Sequence, residues 1–198
     1  MSNKIKKITE YLAKLPGIGP RQAARLVLDL IEWPVAELDD LARSISDIKS
    51  GPLLCKQCFN FADNELCEIC ASHRRDQTSI AVVEKVTDLQ SMEKTGIYKG
   101  VYHVLGGSIN PALGMLPEKL RISELKTRIE KLKTLTRNIE VIIATNPNMQ
   151  GETTALYLEE ELRPLAIKVS RLAHGLASGS TLEYANETTL ANALKNRR

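Results

Sequence analysis

Apolar residues recur at intervals of three and four along the first fifty residues of the chain, which is the periodicity of helices with one buried face. They form three runs: Ile5, Ile8, Leu12, Leu15; Ala23, Leu26, Val27, Leu30; and Leu38, Leu41, Ile45, Ile48. Trp33-Pro34 and Gly51-Pro52 follow the second and third runs and mark where those helices end. The pattern therefore predicts a small domain of three helices over residues 1–52.

From about residue 80 the pattern changes to short apolar runs rich in β-branched residues, which are typical of buried strands. These runs occupy residues 80–83, 101–105, 141–144 and 166–169, with helical stretches near 87–95, 118–135 and 152–163. Such alternation predicts a mostly parallel sheet. We therefore predict an α+β multidomain protein with a helical domain (1–52), a small segment (53–76), an α/β domain (77–172) and a C-terminal segment (173–198).

Composition is that of an ordinary globular protein and says little about partners. The 198 residues are 43% hydrophobic and 26% charged, which is usual for folded domains. No apolar run approaches the roughly 18 residues of a membrane span, and the polar start lacks the apolar core of a signal peptide. We therefore expect a cytoplasmic protein. A net charge of +3 is too small to imply nucleic-acid binding by itself.

All four cysteines lie in one short segment, as Cys55-Lys56-Gln57-Cys58 and Cys67-Glu68-Ile69-Cys70. Two residues between cysteines let both thiolates of a knuckle reach one ion, and two knuckles complete the tetrahedral site that Zn²⁺ prefers. Because four thiolates leave no open position, we expect a structural zinc ion. The expected cytoplasmic location disfavours disulfides, and the short loop between the knuckles favours zinc over an iron–sulfur cluster or a redox pair.

The turn Leu15-Pro16-Gly17-Ile18-Gly19-Pro20 separates the first two predicted helices. Gly17 and Gly19 can adopt positive φ and leave room for a phosphate, which the first amides of the next helix would then bind. Arg21 and Arg25 are four residues apart, so they share a helix face and can reach the same phosphate track. The alternative is an ordinary turn between two helices. The DNA-binding candidates are Gly17, Ile18, Gly19, Arg21 and Arg25.

Polar residues follow the predicted strands, where ligands of an open α/β sheet gather. Glu84 follows the first strand, and Glu152 follows the third in a stretch that includes Asn146, Asn148 and Gln150. Two carboxylates on neighbouring strand ends can hold Mg²⁺ for phosphotransfer. The alternatives are a solvated strand end for Glu84 and a favourable acid in a helix's first turn for Glu152.

The order of these motifs resembles the bacterial RecR family of recombination mediators, and the resemblance covers essentially the whole chain. It also rests on residues 102–107, 144–147, 151–158 and 171–176, which read YHVLGG, ATNP, GETTALYL and RLAHGL. The resemblance implies that the sheet domain is a degenerate Toprim domain, the fold shared by topoisomerases and primases. It also implies that residues 173–198 form an oligomerisation segment.

The resemblance implies a non-catalytic clamp that surrounds double-stranded or gapped DNA without reading its sequence. Family members form a homo-oligomeric ring, of dimeric to tetrameric size, and act with RecO and RecF to load RecA at gapped DNA. By position, Arg21 and Arg25 correspond to DNA contacts, the four cysteines to zinc ligands, and Glu84 and Glu152 to the Toprim acids. Gln150 departs from the family pattern, where Glu is usual, and this weakens a divalent-metal role for that loop.

Two classes of function follow from these features. The first is the DNA clamp, whose affinity arises from phosphate contacts. The second is a magnesium-dependent enzyme that nicks or relaxes DNA with Glu84 and Glu152. An Asp-x-Asp after the third strand would favour the enzyme, and Asn146-Pro147-Asn148 stands there instead. We therefore expect a clamp that is not an enzyme.

Overall fold

The computed structural model describes residues 2–48, 50, 54–173, 175–176, 179, 181–195 and 197. The chain divides into two compact units, Met1–Gly51 and Pro52–Arg198. Gly51-Pro52, where the sequence predicts the end of the third helix, lies outside the described residues, as do several residues of the predicted C-terminal segment. The finer boundaries at residues 76 and 172 stay predictions.

Among its described residues, the first unit contains three helices, as the periodicity predicts: α1 (Asn3–Leu12), α2 (Pro20–Ile31) and α3 (Val35–Asp47). α2 begins at Pro20, whose fixed φ and missing N–H suit the first position of a helix. Ala23 and Val27 lie one turn apart on α2 and are buried, so this face of α2 packs inward. Pro34 comes directly before α3 and separates it from α2.

The second unit is built on a four-stranded sheet in which every pairing is parallel. Its strands are β1 (Asp76–Val83), β2 (Gly100–Val104), β3 (Glu140–Ile143) and β4 (Lys168–Arg171), in the spatial order β2-β1-β3-β4. The helices of this unit are α4 (Glu68–Ala71), α5 (Val86–Glu93), α6 (Ile122–Lys133), α7 (Met149–Leu162) and α8 (Glu187–Lys195). The predicted α+β class and the parallel sheet are confirmed.

Both faces of the sheet are covered. Ile80 and Val82 face a core formed with α6 and α7, which contribute Leu125 and Leu158. Ala81 and Val83 face the opposite core, which includes Leu89 of α5 and half-buried side chains of the cysteine segment. This two-sided burial explains why the end of β1 is apolar at every position. None of the described helices is long and apolar enough to span a bilayer.

Several elements begin at positions that differ from the sequence prediction, including β1 at Asp76 and α6 at Ile122, and the causes are visible for β4 and α7. The fourth strand is predicted at 166–169 but runs from Lys168 to Arg171. A 3₁₀ turn occupies Arg163–Leu165, and Ala166 is left-handed with φ 50°, so pairing begins only after it. α7 begins at Met149, earlier than the predicted 152, because Asn148 caps it by accepting a hydrogen bond from the Gly151 amide at 2.8 Å.

Candidate functional site

The turn between α1 and α2 presents an open helix N-terminus. Gly17 has φ +82°, the left-handed conformation that favours glycine, whereas Gly19 is extended at φ −80° and precedes α2 as its cap. The expectation of positive φ at both glycines is therefore wrong for Gly19. Ile18, which is half buried, donates its amide hydrogen to the Leu15 carbonyl at 3.1 Å and closes the turn.

The space above this turn is free of protein atoms from the described residues. A Cβ added at Gly17 or at Gly19 would have no heavy atom within 4 Å. Gly19 offers no capping side chain and Pro20 has no N–H, so among the described residues the amides of Arg21 and Gln22 have no hydrogen-bond acceptor. Such amides at the positive end of a helix dipole suit an anion.

Arg21 and Arg25 are both exposed on α2, and neither forms an ion pair with any residue that the structure describes. Charge is divided along the sequence of this unit. The basic residues up to position 25 are Lys4, Lys6, Lys7, Lys14, Arg21 and Arg25, against the single acid Glu10. From position 26 to 51 the acids are Asp29, Glu32, Glu37, Asp39, Asp40 and Asp47, against Arg43 and Lys49. The positive charge therefore belongs to α1, the turn and the start of α2.

The four cysteines converge on one point in the second unit. All four side chains are buried free thiols, and their sulfur atoms lie within 4.8 Å of one another. The Sγ atoms of Cys58 and Cys67 are 3.5 Å apart. Zinc–sulfur bonds of about 2.3 Å put tetrahedral ligands about 3.8 Å apart, whereas a disulfide bond is about 2.05 Å long. The donor set and its spacing fit Zn²⁺ and do not fit disulfides.

Local backbone bonds hold the first knuckle in place. The Cys55 amide donates to the Asn60 carbonyl at 2.7 Å, and the Phe59 amide donates to the Cys55 carbonyl at 3.0 Å. Phe59 takes the left-handed conformation, with φ 62°. This tight turn points Cys55 and Cys58 in the same direction. Cys67 precedes the short helix α4, which carries Cys70.

The crowded thiols perturb one another. The hydrogen bond with Cys67, together with burial, raises the pKa of Cys58 to about 12. The bonds from Cys58 and Cys70 instead hold the pKa of Cys67 well below its usual range. Four thiolates this close need a cation to neutralise them, and a bound metal must displace protons from the cluster.

The predicted Toprim acids lie at the carboxyl edge of the sheet, but each already has a partner. Glu84 is buried, with 3% of its surface exposed, and its Oε1 accepts the Asn146 amide hydrogen at 2.7 Å. The alternative of a solvated strand end is therefore wrong. Glu152, in the first turn of α7, forms a two-pronged ion pair with Arg171 at the end of β4.

The sequence analysis did not identify Arg171 as a candidate site residue. Its Nη1 donates to Glu152 Oε1 at 2.9 Å, and its Nε lies 3.8 Å from Glu159 Oε1. The hydrogen bonds to Glu152 raise the pKa of Arg171. Because the strand-end rule that pointed to Glu84 applies equally to the end of β4, it could have identified Arg171 had that strand been placed correctly.

Family models match nearly every part of the chain. They are described as RecR helix-hairpin-helix (residues 5–49), RecR four-cysteine zinc finger domain (54–72), Toprim domain (78–173) and RecR C-terminal (175–198). The match over residues 54–72 covers the four clustered cysteines. The chain therefore carries a four-cysteine zinc-binding site and a Toprim domain.

Curated relatives match over almost the whole length. The chain is 45% identical over 193 residues to recombination protein RecR of Moorella thermoacetica, which covers 98% of this chain and 95% of that protein. It is 44% identical over 194 residues to recombination protein RecR of Carboxydothermus hydrogenoformans, with 98% and 96% covered. Full-length identity at this level, with all four regions in the same order, shows that the chain belongs to the RecR family of recombination proteins.

Proposed function

We propose that this protein is a non-catalytic DNA clamp of recombinational repair, which acts with RecO and RecF to load RecA at gapped DNA. The observation that carries the DNA-binding part is the open N-terminus of α2, with Arg21 and Arg25 beside it and without ion-pair partners among the described residues. Membership in the RecR family supports the repair role, the RecO and RecF partners and the cytoplasmic location.

A phosphate approaches the α2 amides over Gly17 and Gly19, and the two arginines bind the neighbouring phosphates. None of these groups reads a base edge, so the affinity is independent of DNA sequence and falls with salt. The charge of one chain is small. A ring of dimeric to tetrameric size, held by residues 173–198, multiplies the number of phosphate contacts.

The arrangement at the sheet edge supports a clamp over a magnesium enzyme. Mg²⁺ needs anionic oxygens to replace its water ligands. The guanidinium of Arg171 already neutralises Glu152, and the Asn146 amide binds Glu84. Asn148 uses its side-chain oxygen to cap α7. Arg171 therefore supplies at this edge the positive charge that a metal ion supplies in a catalytic site.

The zinc ion has a structural role in this proposal. Cys55, Cys58, Cys67 and Cys70 fill all four tetrahedral positions, so that neither water nor substrate can bind the metal. The cysteine segment is short, and among the described residues its four cysteines pack against only two half-buried apolar side chains, Ala62 and Ile69. Metal binding therefore provides the free energy that a hydrophobic core provides in larger domains.

Replacing Arg21 and Arg25 together with alanine is expected to weaken binding to every DNA sequence alike. The slope of log affinity against log salt concentration should become shallower by about two, one for each lost phosphate contact. Fluorescence anisotropy with two unrelated duplexes over a salt series measures both effects. Arg43→Ala removes an exposed cation from α3 and serves as the control. A loss confined to one duplex, or an equal loss in the control, would contradict the proposal.

Gly19→Ala tests the close approach of a phosphate to the turn. Gly19 has an extended backbone and open space around it, so the variant is expected to melt at nearly the wild-type temperature. The added methyl group would hold a phosphate away from the α2 amides and lower DNA affinity by about tenfold, equivalent to about 1.4 kcal/mol. A folded variant with wild-type affinity would show that DNA does not approach at Gly19.

Replacing Cys55 and Cys58 with serine is expected to release zinc and destabilise the second unit, since structural zinc sites contribute on the order of 10 kcal/mol. Elemental analysis gives the metal content, and calorimetry gives the melting temperature. Wild-type protein treated with a chelator should show a similar drop in melting temperature. A metal-free variant that melts like the wild type would remove the structural role.

Incubation with supercoiled plasmid and Mg²⁺ separates the clamp from the enzyme. The wild-type protein and Glu84→Gln are both expected to retard the plasmid and to leave its topology unchanged after the protein is removed, because Glu84 is bound to the Asn146 amide. Gel electrophoresis before and after protease treatment reports both properties. Nicking or relaxation that disappears in Glu84→Gln would show that the Toprim domain is catalytic.

A further inference from the structure

Arg128 on α6 is a buried guanidinium whose hydrogen bonds are only half made. Only 8% of the surface of Arg128 is exposed. The Nη1 atom donates to the Tyr102 carbonyl at 2.7 Å and lies 3.4 Å from the Gln57 carbonyl. Its Nε and Nη2 atoms have no hydrogen-bond partner among the described residues. These two nitrogens form one edge of the guanidinium plane, an arrangement suited to an anion.

A buried charge needs a counter-charge. Arg128 forms no ion pair with any carboxylate in the part of the chain that the structure describes. Burial lowers the pKa of Arg128, and the neighbouring Cys70, Cys58 and Cys55 act in the opposite direction. Because its Nη1 atom lies 3.4 Å from the carbonyl of Gln57, which stands between Cys55 and Cys58, the guanidinium lies beside the first cysteine knuckle.

The formal charge of the zinc site also requires a cation nearby. Four thiolates around Zn²⁺ carry a net charge of about −2, which is costly to bury unless a cation lies close by. We propose that Arg128 is the counter-charge of the zinc tetrathiolate, and that this pairing holds the first cysteine knuckle against the sheet. The inference rests on the structural zinc proposed above, and it gives that zinc a partner outside the cysteine segment.

Contacts around Arg128 show why its position matters. Gln57, whose carbonyl faces Arg128, lies between Cys55 and Cys58. The Cys58 carbonyl accepts the Val104 amide hydrogen at 2.8 Å, at the end of β2. The Phe59 ring meets His103 edge-on at 5.4 Å between ring centroids, and the Arg121 guanidinium covers it at 4.7 Å. Each of residues 57–59 therefore contacts β2, α6 or Arg121, the residue before α6. The proposed charge pairing connects these contacts to the metal through Arg128.

A ligand from solution is the competing explanation for the unpartnered nitrogens. Arg128 also lines a cavity of about 630 Å³ between the cysteine segment and α6. The Nε and Nη2 atoms, however, each expose less than 1 Å². A carboxylate in the cavity could not reach them without moving the side chain, whereas the carbonyl of Gln57 in the first knuckle already lies 3.4 Å from the guanidinium.

Arg128→Met, which keeps most of the side-chain length but removes the charge, tests the proposal in the zinc-loaded full chain. Zinc transfer to a chromophoric chelator is expected to show a metal affinity about 10 to 100-fold weaker than that of the wild type. Lys131→Met removes an exposed cation from the same helix and is the matched control, with wild-type affinity expected. Wild-type zinc retention in Arg128→Met would overturn the inference.

Melting temperatures with and without zinc separate a counter-charge from simple packing. The gain in melting temperature on zinc binding is expected to shrink in Arg128→Met, because the substitution weakens the zinc-bound form and relieves an unpaired buried charge in the zinc-free form. An equal decrease in both forms would mean that Arg128 only packs, and would overturn the proposal.

Arg128→Lys gives an independent test if Arg128→Met does not fold. Lysine keeps the charge, so this variant is expected to hold zinc within about threefold of the wild-type affinity, and a loss of about 10-fold or more would overturn the charge pairing. A wild-type protein that purifies without zinc and does not bind it would instead refute the structural zinc itself. The two failures are therefore distinguishable.

Discussion

The parallel pairing of β1 with both β2 and β3 is the constraint on which the second unit depends. Parallel strands need crossover connections, and here these carry α5, α6 and α7 across the sheet. Both sheet faces are then buried. All four strands also end at the same edge, so Glu84, the residues after β3 and Arg171 at the end of β4 lie there although they are far apart in sequence. The predicted Toprim acids, Glu84 and Glu152, lie at this edge because of the topology.

Whether this edge of the sheet can bind a metal ion depends on whether its carboxylates are already neutralised. In a metal-dependent site, carboxylates repel one another until a cation binds. In this protein the Arg171 guanidinium pairs with Glu152, and a backbone amide binds Glu84. The two predicted Toprim acids thus contribute to the internal bonding of the fold. A fold by itself does not decide the chemistry of a site, and here β4 ends in an arginine that pairs with Glu152.

The two units use charge in different ways. In the helical unit the cations of α1 and α2 lie at the surface, separated in sequence from the acids of α3, which suits a long-range attraction to a polyanion. In the second unit the informative charges are buried. Arg128, Glu84 and the cysteines each have at most 8% of their surface exposed, and there a charge affects stability more than it attracts a partner.

The sequence by itself determined the elements and the motifs. Helical periodicity, the apolar run at residues 80–83 and the paired Cys-x-x-Cys knuckles are local patterns, and local patterns report secondary structure and metal ligands directly. Only the tertiary structure decided the partners. Arg171 lies 19 residues from Glu152, and Arg128 lies 71 residues from Gln57. The group that each arginine contacts depends on strand order and helix packing, and the spacing of neighbouring residues does not determine either of these. The sequence also does not determine the backbone conformation at Gly19 and Ala166, because φ at these residues depends on how the chain enters the next element.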